Sequence, residues 1–252
     1  MPAVSWWRCA VTGMVLAVGL ATSARADDPP SCEVPSYLLA SESSLPRVTE
    51  TVKKGQPLDI LVVGSRSSTI TTSDASAYPA RLQVALKDKL PAITVNLSVE
   101  VQPKKTAEEL ASGFVKLMEE KKPILVIWQT GTVDAMRSID PDDFRSAVNE
   151  GVSALQKAGA DVILMNLQYS PRTETMISVP PYIDNMRVVA QERDVPLFDR
   201  FAIMRQWNEH GDFDLFNPTH GIELAKQVHD CLGRALSKFI IDAAHLGPTQ
   251  QN

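Results

Sequence analysis

Leu58-Asp59-Ile60-Leu61-Val62-Val63-Gly64-Ser65-Arg66-Ser67-Ser68-Thr69 is an apolar run that ends in glycine and passes at once into hydroxyls. Continuous apolar character over residues 60–63 is the pattern of a strand covered on both faces, as in parallel sheets. Gly64 permits a sharp turn because it has no Cβ to clash. Open α/β sheets build their sites just beyond the carboxyl ends of their strands, which is where these serines stand. The same hydroxyls would equally serve to satisfy turn backbone or cap the next element.

Outward from this stretch, strand-like runs alternate with amphipathic stretches. Strands are predicted at residues 58–63, 94–101, 124–128, 162–165 and 195–198, and helices at 77–89, 107–121, 142–158, 182–193 and 221–241. Pro79 suits a first helical turn, Thr106 with Glu109 matches a capping box, and Gly159 ends a helix. Such alternation implies βαβ crossovers, hence an α/β domain with a five-stranded parallel sheet between two helical layers. The predicted organisation is a signal peptide over 1–26, an extended arm rich in Pro and Ser over 27–56, one domain over 57–241 and a frayed tail over 242–252.

The first segment is read from Arg8, the apolar stretch at 10–21, and the small-x-small pattern Ala24-Arg25-Ala26. It is too short for a stable span, and nothing later approaches ~20 consecutive apolar residues. An exported protein, periplasmic or secreted, is expected. Cleavage would remove Arg8 and Arg25 and no acid, moving the formal charge from −5 to −7. That balance argues against nucleic acid or an anionic membrane as partner. Cys9 would leave with the signal, and Cys32 and Cys231 would remain. They would form either one disulfide between the arm and the last helix or two free thiols.

The loops after the strands gather on one rim of such a sheet. Four carry polar residues: 65–68, 129–134, 168–172 and 199–220. Convergence of this kind suits hydrolytic chemistry. No zinc-type ligand spacing and no phosphate loop is present, so neither metal nor cofactor is expected. His229, inside the last helix, reads as structural or surface, while His210 falls in a loop and His245 in the tail. Trp128, Trp207 and Tyr169 read either as core or as a carbohydrate platform.

Gly64-Ser65-x-Ser67-Ser68-Thr69, Tyr78-Pro79-Ala80-Arg81-Leu82, Gly131-Thr132-Val133-Asp134 and a histidine before the last helix occur in an order that resembles the SGNH/GDSL hydrolases. The resemblance spans roughly residues 57–240. It implies a flavodoxin-like three-layer sandwich and ester hydrolysis by a nucleophilic Ser and a His base. The oxyanion hole would come from the Ser backbone N–H, a Gly and an Asn. Matched strictly from Gly64, the nucleophile slot falls on Arg66. One inserted residue moves it to Ser67, with Ser65 and Ser68 beside it. The stretch 101–106 lacks the family's second-block glycine, and Val133 replaces the donating asparagine. Loss of one such donor typically costs ~10²–10³ in rate. Gln129, Thr130 or Thr132 would have to substitute, with Gly131 and Thr132 lining the oxyanion side. In the last block, Asn217-Pro218-Thr219-His220, His220 is the expected base and Asn217 or Asp214 its orienting partner.

Two functions follow. One is an exported serine esterase acting on acylated carbohydrate or small acyl esters. The other is a catalytically impaired relative that binds envelope polysaccharide or serves its machinery. A flavodoxin-like cofactor binder, with Arg66 and the serines around a phosphate, is a weaker third.

Overall fold

The computed structural model describes Met1 and residues 32–70, 73–216 and 221–247. The signal-peptide reading therefore lies outside the described residues. Five strands, β1 (Leu58–Gly64), β2 (Val95–Val101), β3 (Leu125–Gln129), β4 (Asp161–Met165) and β5 (Leu197–Phe198), form one sheet in the order β2-β1-β3-β4-β5. Every pairing is parallel, as βαβ crossovers require. The apolar runs of β1, β3 and β4 are buried almost throughout, whereas β2 on the edge is half-exposed.

The helices are α1 (Ser36–Leu39), α2 (Pro46–Lys53), α3 (Tyr78–Lys89), α4 (Ala107–Ala111), α5 (Phe114–Lys121), α6 (Thr132–Met136), α7 (Pro141–Lys157), α8 (Pro171–Met176), α9 (Pro180–Arg193), α10 (Arg200–His210) and α11 (Gly221–Ala243). α3 packs against α11, and α7 packs against α4, α5 and α9, giving the expected three-layer sandwich. Two close approaches depend on missing side chains. A Cβ at Gly233 would lie 2.8 Å from the Leu82 backbone N, where α11 crosses α3. One at Gly151 would lie 2.5 Å from the Trp128 ring, where α7 meets β3. The capping box at Thr106 and Glu109 is formed, and Gly159 stands left-handed at φ 98° after α7.

Several boundaries differ from expectation. The arm is not extended: it holds α1 and α2, with Leu45 and Val48 fully buried. α1 has four residues, too few to show a period, while α2 spans two turns and buries Val48 and Thr51 on one face. The carboxylate of Asp161, first residue of β4, caps α2 by accepting from the N–H groups of Arg47 and Val48 at 2.9 and 3.0 Å. The tail does not fray at 242 either. α11 runs to Ala243, Ala244 is buried, and the carbonyls of Ala243 and Ala244 accept from the Leu45 N–H and the Thr49 hydroxyl. The arm and the tail thus stabilise each other. A disulfide joins Cys32 to Cys231 with Cα atoms 5.0 Å apart, so the free-thiol alternative falls.

The single helix predicted over 107–121 is two, parted at Gly113. α6, α8 and α10 are additions in loops. Trp128, Trp207 and Tyr169 are all core. Trp128 packs edge-on to Phe114, Tyr169 packs on Phe201, and the Trp207 indole donates to the Glu33 carbonyl at 2.9 Å. No aromatic platform is built from them.

Candidate active site

After Gly64 the chain turns through Ser65 into one turn of 3₁₀ helix, Arg66–Ser68. The glycine is needed for close approach: a Cβ there would meet Ser68 Oγ at 2.3 Å. Ser68 folds back under the strand end, fully buried, and donates to Gln129 Oε1. Its burial removes it as a nucleophile. Tyr78 OH lies 3.2 Å from the same hydroxyl.

Ser67 projects the other way, half-buried at the edge of a cavity of about 630 Å³. Its Oγ accepts from Gln129 Nε2 at 2.7 Å and from Arg200 Nη2 at 3.1 Å. Ser65 Oγ lies 3.2 Å away and accepts from Gln129 Nε2 at 3.1 Å. The Gln129 amide orientation is dictated by its other end. Oε1 faces the Ser68 hydroxyl and Arg200 Nη1, and a flipped amide would set N–H groups against the guanidinium.

Arg200 is fully buried, and its acceptors among the described residues are neutral: Ser67 O and Oγ, Gln129 Oε1 and, at 3.5 Å, Gln168 Oε1. Its Nε has no partner among them. Burial pulls its pKa down to about 10, so it stays cationic at neutral pH. Buried charge without a counter-charge is costly, and needs a rigid support to persist. The support comes from Asn166 beyond β4 and Asp199 beyond β5. Asn166 accepts from the Phe201 N–H at 2.9 Å and donates to Asp199, whose carboxylate caps α10 through the Ala202 N–H. Arg200 is the first residue of the helix so fixed.

The other sequence-designated positions divide. Ser65, Ser67 and Thr132 come together at the cavity. Gly131 is buried and left-handed, φ 96°, packed against Leu167. Val133 lines the cavity with a side chain that donates nothing. Asp134 is turned away into structural duty: it accepts from the Ala107 N–H at 2.8 Å, joining α4 to the loop after β3. Burial raises its pKa despite that hydrogen bond. His229 is structural, its Nδ1 accepting from the Tyr78 N–H at 3.0 Å. Burial, then the Arg200 charge, lower its pKa to about 4. Asp214 accepts from the Phe216 N–H at 3.1 Å. Asn217 and His220 lie outside the described residues. Although no glycine stands in 101–106, Lys104 adopts the left-handed conformation a glycine would take, at φ 66°.

Arg200 was missed from the sequence. The signal was its place two residues past the end of β5, on the rim that already singled out the serines.

A family model described as the non-GDSL lipase-like family matches residues 31–246. The chain belongs to the non-GDSL lipase-like family. Within the SGNH/GDSL fold it is a divergent member. Solved structures agree on the fold. Axe2, an acetylxylan esterase from Geobacillus stearothermophilus, is 17% identical with a TM-score of 0.56, over 72% of this chain and 93% of its own. LAE5, an alpha/beta hydrolase enzyme from the metagenome of Lake Arreo, is 18% identical with a TM-score of 0.56, over 76% and 97%. Esterase AlinE4, solved as a serine-to-alanine mutant, is 18% identical with a TM-score of 0.51, over 62% and 82%. No curated protein matches. Among the described residues no helix is long and apolar enough to cross a membrane.

Proposed function

We propose that this protein is an exported serine ester hydrolase in which Ser67 is the nucleophile. The observation that carries this reading is the seat of Ser67 Oγ, at a cavity edge between an amide donor and a buried guanidinium. These two donors occupy both lone pairs of the resting hydroxyl, leaving its proton to be given away. On deprotonation the same donors stabilise the alkoxide, and a third lone pair becomes free to attack. Ser67 Oγ then bonds to the ester carbonyl carbon, its proton passing to His220. Gln129 and Arg200 thus hold the attacking oxygen, while the oxyanion that forms on the carbonyl faces the backbone at Gly131 and Thr132, on the side where the Val133 side chain donates nothing. Collapse of the intermediate expels the alcohol, which takes the proton back from His220, and water then releases the acid from the acyl-enzyme. Asn217 or Asp214 orients His220. The substrates are acylated carbohydrates or small acyl esters, a reading supported by the fold shared with an acetylxylan esterase. The disulfide fits an exported protein.

A second reading, an impaired relative retained for polysaccharide binding, is favoured by the loss of the asparagine donor at Val133 and by the structural use of Asp134. A fluorophosphonate probe separates the two. Labelling at Ser67, lost in Ser67→Ala and in His220→Ala, supports the hydrolase. An unlabelled protein that turns over no short acyl ester overturns it.

A further inference from the structure

The cavity beside Ser67 is basic in a chain that carries 30 acidic and 25 basic side chains. Arg66, Lys104 and Arg137 line it, together with the neutral polar groups of Gln168, Ser170 and Thr132, and among the described residues no carboxylate lines it. Arg137 is paired with Glu109 at 3.4 Å. Among the described residues, Arg66 and Lys104 enter no ion pair. Both are exposed, and Lys104 is held in a left-handed conformation uncommon for a lysine. Arg200 lies beneath the Ser67 end of this cavity, fully buried, with no carboxylate partner among the described residues and with its Nε unpaired. Two unpaired cations therefore line one concave space of about 630 Å³, a volume typical of small-molecule sites, and a third is buried behind its Ser67 edge. Clefts lined by one sign of charge concentrate ligands of the opposite sign.

We infer that the ester cleaved here is anionic, with its acidic group held by Arg66 and Lys104 while the carbonyl lies over Ser67. This inference rests on the esterase reading and narrows its substrate class. The negative charge belongs either to the alcohol part, as in an acetylated uronate sugar, or to the acyl part, as in a dicarboxylate half-ester. Arg66, the residue that displaces the family's serine by one place, gains a role as the anion contact next to the nucleophile.

Two matched pairs test this on the mature protein. O-acetylated oligogalacturonate against O-acetylated xylo-oligosaccharide places the charge on the alcohol. 4-Nitrophenyl hemisuccinate against 4-nitrophenyl butyrate places it on the acyl group. For one pair, kcat/KM is expected to favour the anionic member by about tenfold or more at low ionic strength, with the preference shrinking in about 0.5 M NaCl. The double variant Arg66→Gln/Lys104→Asn should lower that ratio about fivefold or more, mainly through KM. Asparagine is chosen because it tolerates the left-handed conformation. Calorimetric titration of Ser67→Ala with oligogalacturonate reads the same cavity without turnover, and fluorophosphonate labelling of Ser67 reports separately on catalysis. Labelling with equal handling of charged and neutral members overturns the anionic assignment and leaves the esterase reading standing. Absent labelling, with oligogalacturonate bound and released by the double variant, overturns the esterase reading and keeps the anion site. Weak, salt-insensitive titration with no pair discriminated overturns the anion site outright.

Discussion

Asp161 and Arg200 are both buried ionisable side chains, placed at opposite edges of the same sheet, and the fold treats them differently. Asp161 begins β4 at the amino-terminal edge, where its carboxylate receives two backbone N–H groups of α2 and holds the arm in place. Arg200 follows β5 at the carboxyl edge, where among the described residues it meets only neutral acceptors, keeps one N–H unpaired and faces the candidate nucleophile. One charge is satisfied by structure, and the other is held unsatisfied beside a cavity. A charge of the second kind weakens the fold and strengthens electrostatics at a reacting centre, since a site poised for catalysis is rarely the most stable arrangement.

Replacing the hydroxyl between these donors should have the largest effect. Ser67→Ala should reduce ester turnover by ~10³-fold or more, measured by initial rates on a short acyl ester, and should lower the melting temperature modestly, because Arg200 and Gln129 each lose an acceptor. Arg200→Met comes next and would break the comparison most directly. Activity should fall ~10²–10³-fold while stability is unchanged or rises, because a buried charge gives way to an apolar chain of similar volume. Denaturant unfolding alongside kinetics checks both halves. A large loss of stability would show that Arg200 is structural, like Asp161.

His229 sharpens the comparison by pH. Its pKa in the folded protein, about 4, lies below the ordinary 6.5, so the unfolded chain binds the extra proton between those values. Stability is therefore intact above pH 6.5 and is lost as pH falls toward 4, by about 3 kcal/mol from this group. Unfolding curves across that window, compared with His229→Asn, should show the slope flatten in the variant. Asp161→Ala completes the series. Orphaning two N–H groups should cost ~1–3 kcal/mol of stability with ester turnover per folded molecule kept.

The layered α/β fold was legible because its signals are local. Buried parallel strands read as unbroken apolar runs, and helix ends carry their caps in adjacent residues, as at Thr106 and Glu109. Short helices such as α1 and α6 escaped because four or five residues are too few for a period to show, whereas α2 carried a Pro at its first turn and buried residues at 48 and 51 that went unread within a segment rich in Pro and Ser. The docking of the tail escaped because it depends on carbonyls of 243 and 244 meeting residues far back along the chain, at Leu45 and Thr49.

At the site the division is sharper. The sequence by itself determined that hydroxyls would follow a buried strand at the sheet's carboxyl edge, that Gly64 permits a sharp turn there, and that Val133 could donate nothing; the close approach of Ser68 that forbids a Cβ at Gly64 came only with the fold. Which serine faces the cavity, and which turns under the strand, was decided only when the 3₁₀ turn packed against Gln129. Only tertiary structure brought Arg200 from the end of β5 to Ser67, and only burial turned an ordinary surface-type residue into an unpaired cation. Residue type and local order are written along the chain. The dielectric around a side chain, and the partners it lacks, exist only after the sheet has assembled.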